Sequence, residues 1–115
     1  MEDLTTLLSE YPFVANFHFL KFERTRTTRR LKVAADITGG SRLIISEATT
    51  PRGFRYAYHW QDAAGELLVR WDNAPHHREV ATFPDHFHNG PTVEPSVQPT
   101  IREVLDYISE HIRLA

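Results

Sequence analysis

The sequence predicts an α+β fold: an antiparallel five-stranded meander sheet, with a short N-terminal helix before it and a C-terminal amphipathic helix packed on one face. Two observations carry this. Five segments between residues 14 and 73 alternate apolar and polar side chains with a period of two, and short turn-forming stretches separate them. Residues 100–112 then change to the spacing of a helix with one apolar stripe.

Taken in order, residues 2–10 form the short first helix. "VANFHFLKFER" at 14–24 is rich in Phe and β-formers, and "RRLKVAADI" at 29–37 puts Leu31, Val33, Ala35 and Ile37 on one face and Arg30, Lys32 and Asp36 on the other. "TGGS" at 38–41 is a turn with two residues tolerant of positive φ, leading into "RLIISEA" at 42–48. After "TPRG" at 50–53, "FRYAYHWQ" at 54–61 sets Phe54, Tyr56, Tyr58 and Trp60 against Arg55, Ala57 and His59. "DAAG" then closes a hairpin into "ELLVRWDN" at 66–73. A four-residue loop there pairs Gln61 with Glu66, Ala57 with Arg70 and Arg55 with Asp72, and a bulge would shift this by one. Arg55, His59, Arg70 and Asp72 then share the face opposite the aromatic row. In the last helix Ile101, Val104, Leu105, Ile108 and Ile112 make the stripe, and Thr100 with Glu103 reads as a capping box.

The 115 residues make one domain, 1–115, with 41% hydrophobic and 24% charged residues, which excludes disorder and a membrane span. The acidic start "MEDLTTLLSEYPF" is unlike a signal peptide, and a cytoplasmic protein is expected. With no cysteine, disulfides, thiolate nucleophiles and cysteine-based zinc sites are excluded. The net charge of −2 argues against attraction of the whole molecule to nucleic acid. Its distribution differs: Lys21, Arg24, Arg26, Arg29, Arg30 and Lys32 stand against Glu23 alone in "KFERTRTTRRLK". Such a cluster either meets phosphates locally or protects a sheet edge.

Four of the seven histidines, His76, His77, His86 and His88, fall within thirteen residues of "RWDNAPHHREVATFPDHFH". Three readings compete. As a metal site, the imidazoles with Asp72 or Asp85 supply enough ligands, but the spacing matches no zinc pattern. As an acid–base site, imidazoles near neutrality carry protons and Arg70 grips a phosphate, with Tyr58 and His59 behind them. As a structural loop, "DNAP" is a turn, Phe83 and Phe87 plug the core, and the histidines bond carbonyls. His18, in its Phe-rich strand, reads as a core histidine, and His111 as a cation near a helix end.

"YHWQDAAGELLVRWDNAPHHREVATFPDHFH", then "VEPS" and "VLDYI", resembles the TumE-like family of toxin–antitoxin proteins over residues 58–108. The shared positions are His59, Arg70, Asp72, Asn73, His76, His77, Phe83, Pro84, His86 and His88. The chain reads "PDHFH" where the family pattern is "PHHKH", so Asp85 replaces a histidine and Phe87 a lysine. The resemblance implies a toxin that acts on RNA and is neutralised by a cognate antitoxin.

Residues and resemblance together give a metal-independent endoribonuclease that needs no cofactor. His76 and His77 flank the scissile phosphate as base and acid, helped by His86 or His88; Arg70 steadies phosphate charge, Asp72 orients its neighbours, and His59 stands with them. Lys21, Arg24, Arg29, Arg30 and Lys32 would guide RNA to the site. The rivals are a non-catalytic module that blocks a partner such as the ribosome, and a metal-dependent hydrolase. A homodimer through an exposed edge, "RLIISEA" or the first strand, is also open.

Overall fold

The computed structural model describes residues 3–114. Helix α1 (Leu4–Ser9) leads into seven strands: β1 (Val14–Arg24), β2 (Arg29–Ile37), β3 (Arg42–Thr50), β4 (Gly53–Gln61), β5 (Leu67–Asp72), β6 (His86–Asn89) and β7 (Thr92–Pro95). Helix α2 (Ile101–His111) and a 3-10 turn, Ile112–Leu114, follow. The strands form one antiparallel sheet in the order β1 to β7, each paired with its neighbour in sequence. The α+β meander and both flanking helices are thus as the sequence predicts.

The strand count is corrected from five to seven. The added hairpin, β6 and β7, lies in and beyond the stretch read as an irregular loop. Its strands are four residues each, and its period-two pattern is disguised. His86 and His88 occupy one face of β6 and Phe87 the other, so polar and apolar do not mean outside and inside there.

One face of the sheet carries Leu31, Val33, Leu43, Ile45, Tyr58, Trp60 and Trp71, and the helices close over it. Val104, Leu105 and Ile108 of α2 are fully buried against this face, with Leu7 and Leu8 of α1. Tyr107 stands edge-on to Trp71 at 5.2 Å and to Phe87 at 5.8 Å. Polar atoms inside are answered: Trp60 donates to Ser41 at 3.0 Å and Tyr58 to Glu47 at 2.6 Å. Helix α2 starts at the expected capping box, where Thr100 Oγ1 accepts from the Glu103 N–H and Glu103 accepts from the Thr100 N–H. A Thr100→Ala protein should lose about 1 kcal/mol of stability, which chemical denaturation will show.

The hairpin register differs from the predicted one. Asp62 donates to the Glu66 carbonyl, Gly65 takes φ 87°, and the loop is three residues, Ala63–Gly65. A bulge between Trp60 and Gln61 adds a further step, so Ala57 faces Asp72 and His59 faces Arg70. The slip totals two residues, which preserves which side chains share a face. Arg55, His59, Arg70 and Asp72 therefore do lie together, opposite the aromatic row.

"RLIISEA" is interior rather than an edge, since β3 lies between β2 and β4. The exposed edges are β1 and β7. On the edge strand β1, where the register shifts between Phe19 and Lys21, Phe19 and Phe22 are 46% and 58% exposed. His18 is exposed on β1, not a core histidine. No described helix is long and apolar enough to cross a membrane.

Candidate functional site

The second face of the sheet has no helix over it. Across β4, β5 and β6 it presents His59 beside Arg70 and Arg70 beside His88, then Ala57 beside Asp72 and Asp72 beside His86. Antiparallel pairing brings side chains on directly opposed residues within reach of each other. Two residues on β5, separated by one apolar residue, thus meet two histidines similarly spaced on β6.

Asp72 is the hub. It is only 4% exposed, and the polar atoms that reach its carboxylate are all nitrogens. Its Oδ1 accepts from the Ala74 N–H at 2.9 Å and lies 3.1 Å from His86 Nε2. Its Oδ2 accepts from Arg70 Nε at 2.9 Å and lies 3.5 Å from His88 Nε2. Burial alone would raise the Asp72 pKa, but the Ala74 N–H, the Arg70 guanidinium and His86 outweigh it and hold it below 3.8. The charge stays on Asp72 at any ordinary pH.

His86 is 1% exposed, with Nδ1 at 2.8 Å from the Pro84 carbonyl and Nε2 facing Asp72. Both ring nitrogens are thus committed to acceptors, and its place is that of a positioning residue. His88 is partly exposed, and its pKa is held below 6.5 by burial and by His86, His77 and Arg70, against the pull of Asp72. His77 belongs to the loop between β5 and β6, which buried Val80 and the bonds of Thr82 to Asp85 and Ser96 hold in shape. Its Nδ1 sits 3.2 Å from Glu79, and its ring lies 4.8 Å from that of His86 and 5.4 Å from that of His88.

His59 has a fixed tautomer. Its Nδ1 is 3.1 Å from Arg70 Nη1, and a guanidinium only donates, so Nδ1 accepts. Burial, then the Arg70 charge, lower its pKa from 6.5. Above that value folded and unfolded chains are both neutral at His59. As the pH falls through 6.5 and on to the lower folded value, the unfolded chain takes up the proton first and the fold weakens. A His59→Gln protein, whose amide oxygen still accepts from Arg70, should show a shallower stability loss between about pH 7 and 5 in denaturant titrations.

Of the seven predicted site residues, Arg70, Asp72, His77, His86 and His88 converge and His59 supports them. His76 does not join them. The Pro75 turn leaves it exposed, and its side chain makes no hydrogen bond or ring contact among the described residues. The Lys21, Arg24, Arg29, Arg30 and Lys32 cluster spans the β1–β2 hairpin, away from the histidines, with Lys21, Arg30 and Lys32 on the same open face. Tyr58 points to the helical side. Phe83 is exposed rather than plugged into the core, whereas Phe87 packs on Trp71 at 4.9 Å. The two departures from the family pattern avoid the histidines: Phe87 lies on the apolar face, and Asp85 accepts from the Tyr56 hydroxyl at 2.7 Å. Glu79 escaped the sequence reading, since an acid two residues from a histidine is no signal by itself.

The nitrogens of His77, His86 and His88 lie within 4.8 Å of one another, a ligand set that zinc accepts. Tetrahedral bonds of about 2.1 Å require nitrogens only ~3.4 Å apart, so the set would have to contract around an ion. His86 would also have to turn Nε2 away from Asp72 or share it.

A family model described as Toxin TumE matches residues 4–112. No curated protein and no solved structure matches the chain. The family match runs from α1 through every strand to the end of α2, and so includes β4, β5 and β6 with the residues that meet at Asp72: the chain belongs to the TumE toxin family.

Proposed function

We propose that this chain is the toxin of a toxin–antitoxin module and acts as a metal-independent endoribonuclease, with a cognate antitoxin as its partner. The observation that supports this is the meeting of His77, His86 and His88 with Arg70 around the buried Asp72 carboxylate. Cleavage of RNA by its own 2′-hydroxyl needs a base, an acid and a cation near the phosphorane.

His88 is the base. Its lowered pKa leaves it unprotonated at neutral pH, able to take the 2′-hydroxyl proton as O2′ attacks phosphorus. His77, beside the Glu79 carboxylate, is the acid that gives a proton to the departing 5′-oxygen. The products are a 2′,3′-cyclic phosphate and a 5′-hydroxyl. Arg70 lies 37% exposed beside these rings, with Nε on Asp72 and Nη1 on His59, and stabilises charge on the non-bridging oxygens. Pairing His77 with His88, rather than with His76, follows from the exposed position of His76. A His76→Ala protein should cut RNA at the parent rate within about twofold.

The test is cleavage of an end-labelled RNA by tag-free protein in EDTA. Cutting that leaves cyclic phosphate ends, and that His77→Ala and His88→Ala lose, supports the reading. Cutting that EDTA abolishes overturns the metal-independent mechanism and points to the three imidazoles as ligands. No cutting by a protein that is still toxic in cells leaves a module that blocks a partner such as the ribosome.

A further inference from the structure

A groove of about 330 Å³ runs over the open face from the β1–β2 hairpin to Arg70 and Asp72. Its line is set by the registers. Lys21 faces Lys32, Lys32 faces Ser46, Ser46 faces Ala57 and Ala57 faces Asp72, which faces His86. One row of side chains therefore crosses the sheet at right angles to the strands. From Lys32 to His86 it takes four strand spacings of ~4.8 Å, or about 19 Å. The middle of the row is low, because Ser46 and Ala57 are small, and Ala48 beside them is small too. In the adjacent row Arg30 and Arg55 flank Ala48 on its two sides.

The groove is electropositive on an acidic protein. Lys32 and Arg55 form no ion pair among the described residues. Lys21 and Arg30 reach only Glu23, at 4.0 Å and 3.9 Å between exposed side chains, and such pairs neutralise little. Glu47, whose backbone borders the groove, turns its carboxylate to Tyr58 on the other face. The aromatic row of β4, Tyr56, Tyr58 and Trp60, is also buried on that face. The groove thus offers cations and small side chains, with the Asp72 carboxylate at its far end already held by Arg70, and no exposed ring among its lining residues on which a base could stack.

We propose that one strand of RNA lies along this groove across the sheet, held by its phosphates from Lys21 and Lys32 to Arg70, with base identity unread. This rests on the ribonuclease reading above. The cations Lys21, Arg30, Lys32, Arg55 and Arg70 line one shallow groove over three neighbouring rows, a site for one phosphodiester chain rather than the two of a duplex. Without stacking, which is worth about 1–3 kcal/mol per base where it occurs, binding is electrostatic and tolerant of sequence.

The probe is a fluorescent 2′-O-methyl oligonucleotide, which has no free 2′-hydroxyl and cannot be cut, read by anisotropy against salt. A parent that holds four phosphates should show a log–log salt slope near −2.8, at about −0.7 per phosphate. Lys32→Ala/Arg55→Ala, which alters two exposed side chains and should melt as the parent does, should bind at least tenfold more weakly and lose about 1.4 of that slope. Homopolymers of different bases should bind within a few-fold of one another, and duplex RNA more weakly. Parent-like binding by the double variant, or preference for duplex, overturns the groove assignment. If the parent binds the probe in this way but cuts no unmodified RNA of the same sequence, the ribonuclease reading fails and the groove stands.

Discussion

A His88→Ala protein should cut RNA about 10²–10⁴-fold more slowly than the parent, the usual cost of deleting a positioned proton carrier. The fold should barely notice. His88 makes one polar approach, 3.5 Å to Asp72 Oδ2, and its side chain is 21% exposed. The pH profile separates a base from a bystander. The groups that face His88 are Asp72, His86, His77 and Arg70, and the sum of their effects with burial is a pKa below 6.5. Cleavage by the parent should therefore rise with pH along a limb centred below 6.5, and the variant should lack that limb. Added imidazole should restore part of the lost rate. A His88→Ala protein that keeps the parent rate and profile would place the base elsewhere.

The second large effect falls on stability and activity together. Asp72→Asn removes the charge on which Arg70 and His86 converge and puts an amide N–H₂ where only an acceptor fits. Removing one partner of a buried ion pair costs about 3–5 kcal/mol. Arg70 keeps 37% of its side chain in water, so about 2–3 kcal/mol is expected here, near 10 °C in melting temperature. Because the folded pKa of Asp72 lies below its ordinary 3.8, its contribution is fully present above 3.8 and is lost as pH falls through the lower folded value. The parent and the variant should therefore converge in stability under strong acid, and differ most at neutral pH. Cleavage by the variant should fall at least as far as in His88→Ala, since Arg70, His86 and His88 all lose their anchor. Unchanged melting with full cleavage would remove Asp72 from the centre of the site.

Much of this geometry was legible in the sequence, for reasons that can be stated residue by residue. The face shared by Arg55, His59, Arg70 and Asp72 depends on strand parity alone, so it survived a two-residue error in register. The capping box and stripe of the last helix are local patterns with local causes. The doublet His76–His77 was different. Adjacent residues point different ways, and no pattern says which of them a turn will aim at a strand not yet identified. That strand was hidden because its alternate positions hold histidines rather than the usual polar residues. The partnership of His86 with His88 on one face follows at once when β6 is recognised, and His77 follows from the loop that Val80 pins.

The meander order also fixes a sequence of events. Each strand needs only the strand before it, so the sheet can be laid down as the chain emerges from the ribosome. The cationic groove is nearly complete with β4; Arg70 and Asp72 arrive with β5, and His86 and His88 only with β6. Helix α2, which supplies Val104, Leu105 and Ile108 to the core, comes last. In chain order the cationic strands thus come before the proposed catalytic side chains, and these before the helix that closes the core on which both depend.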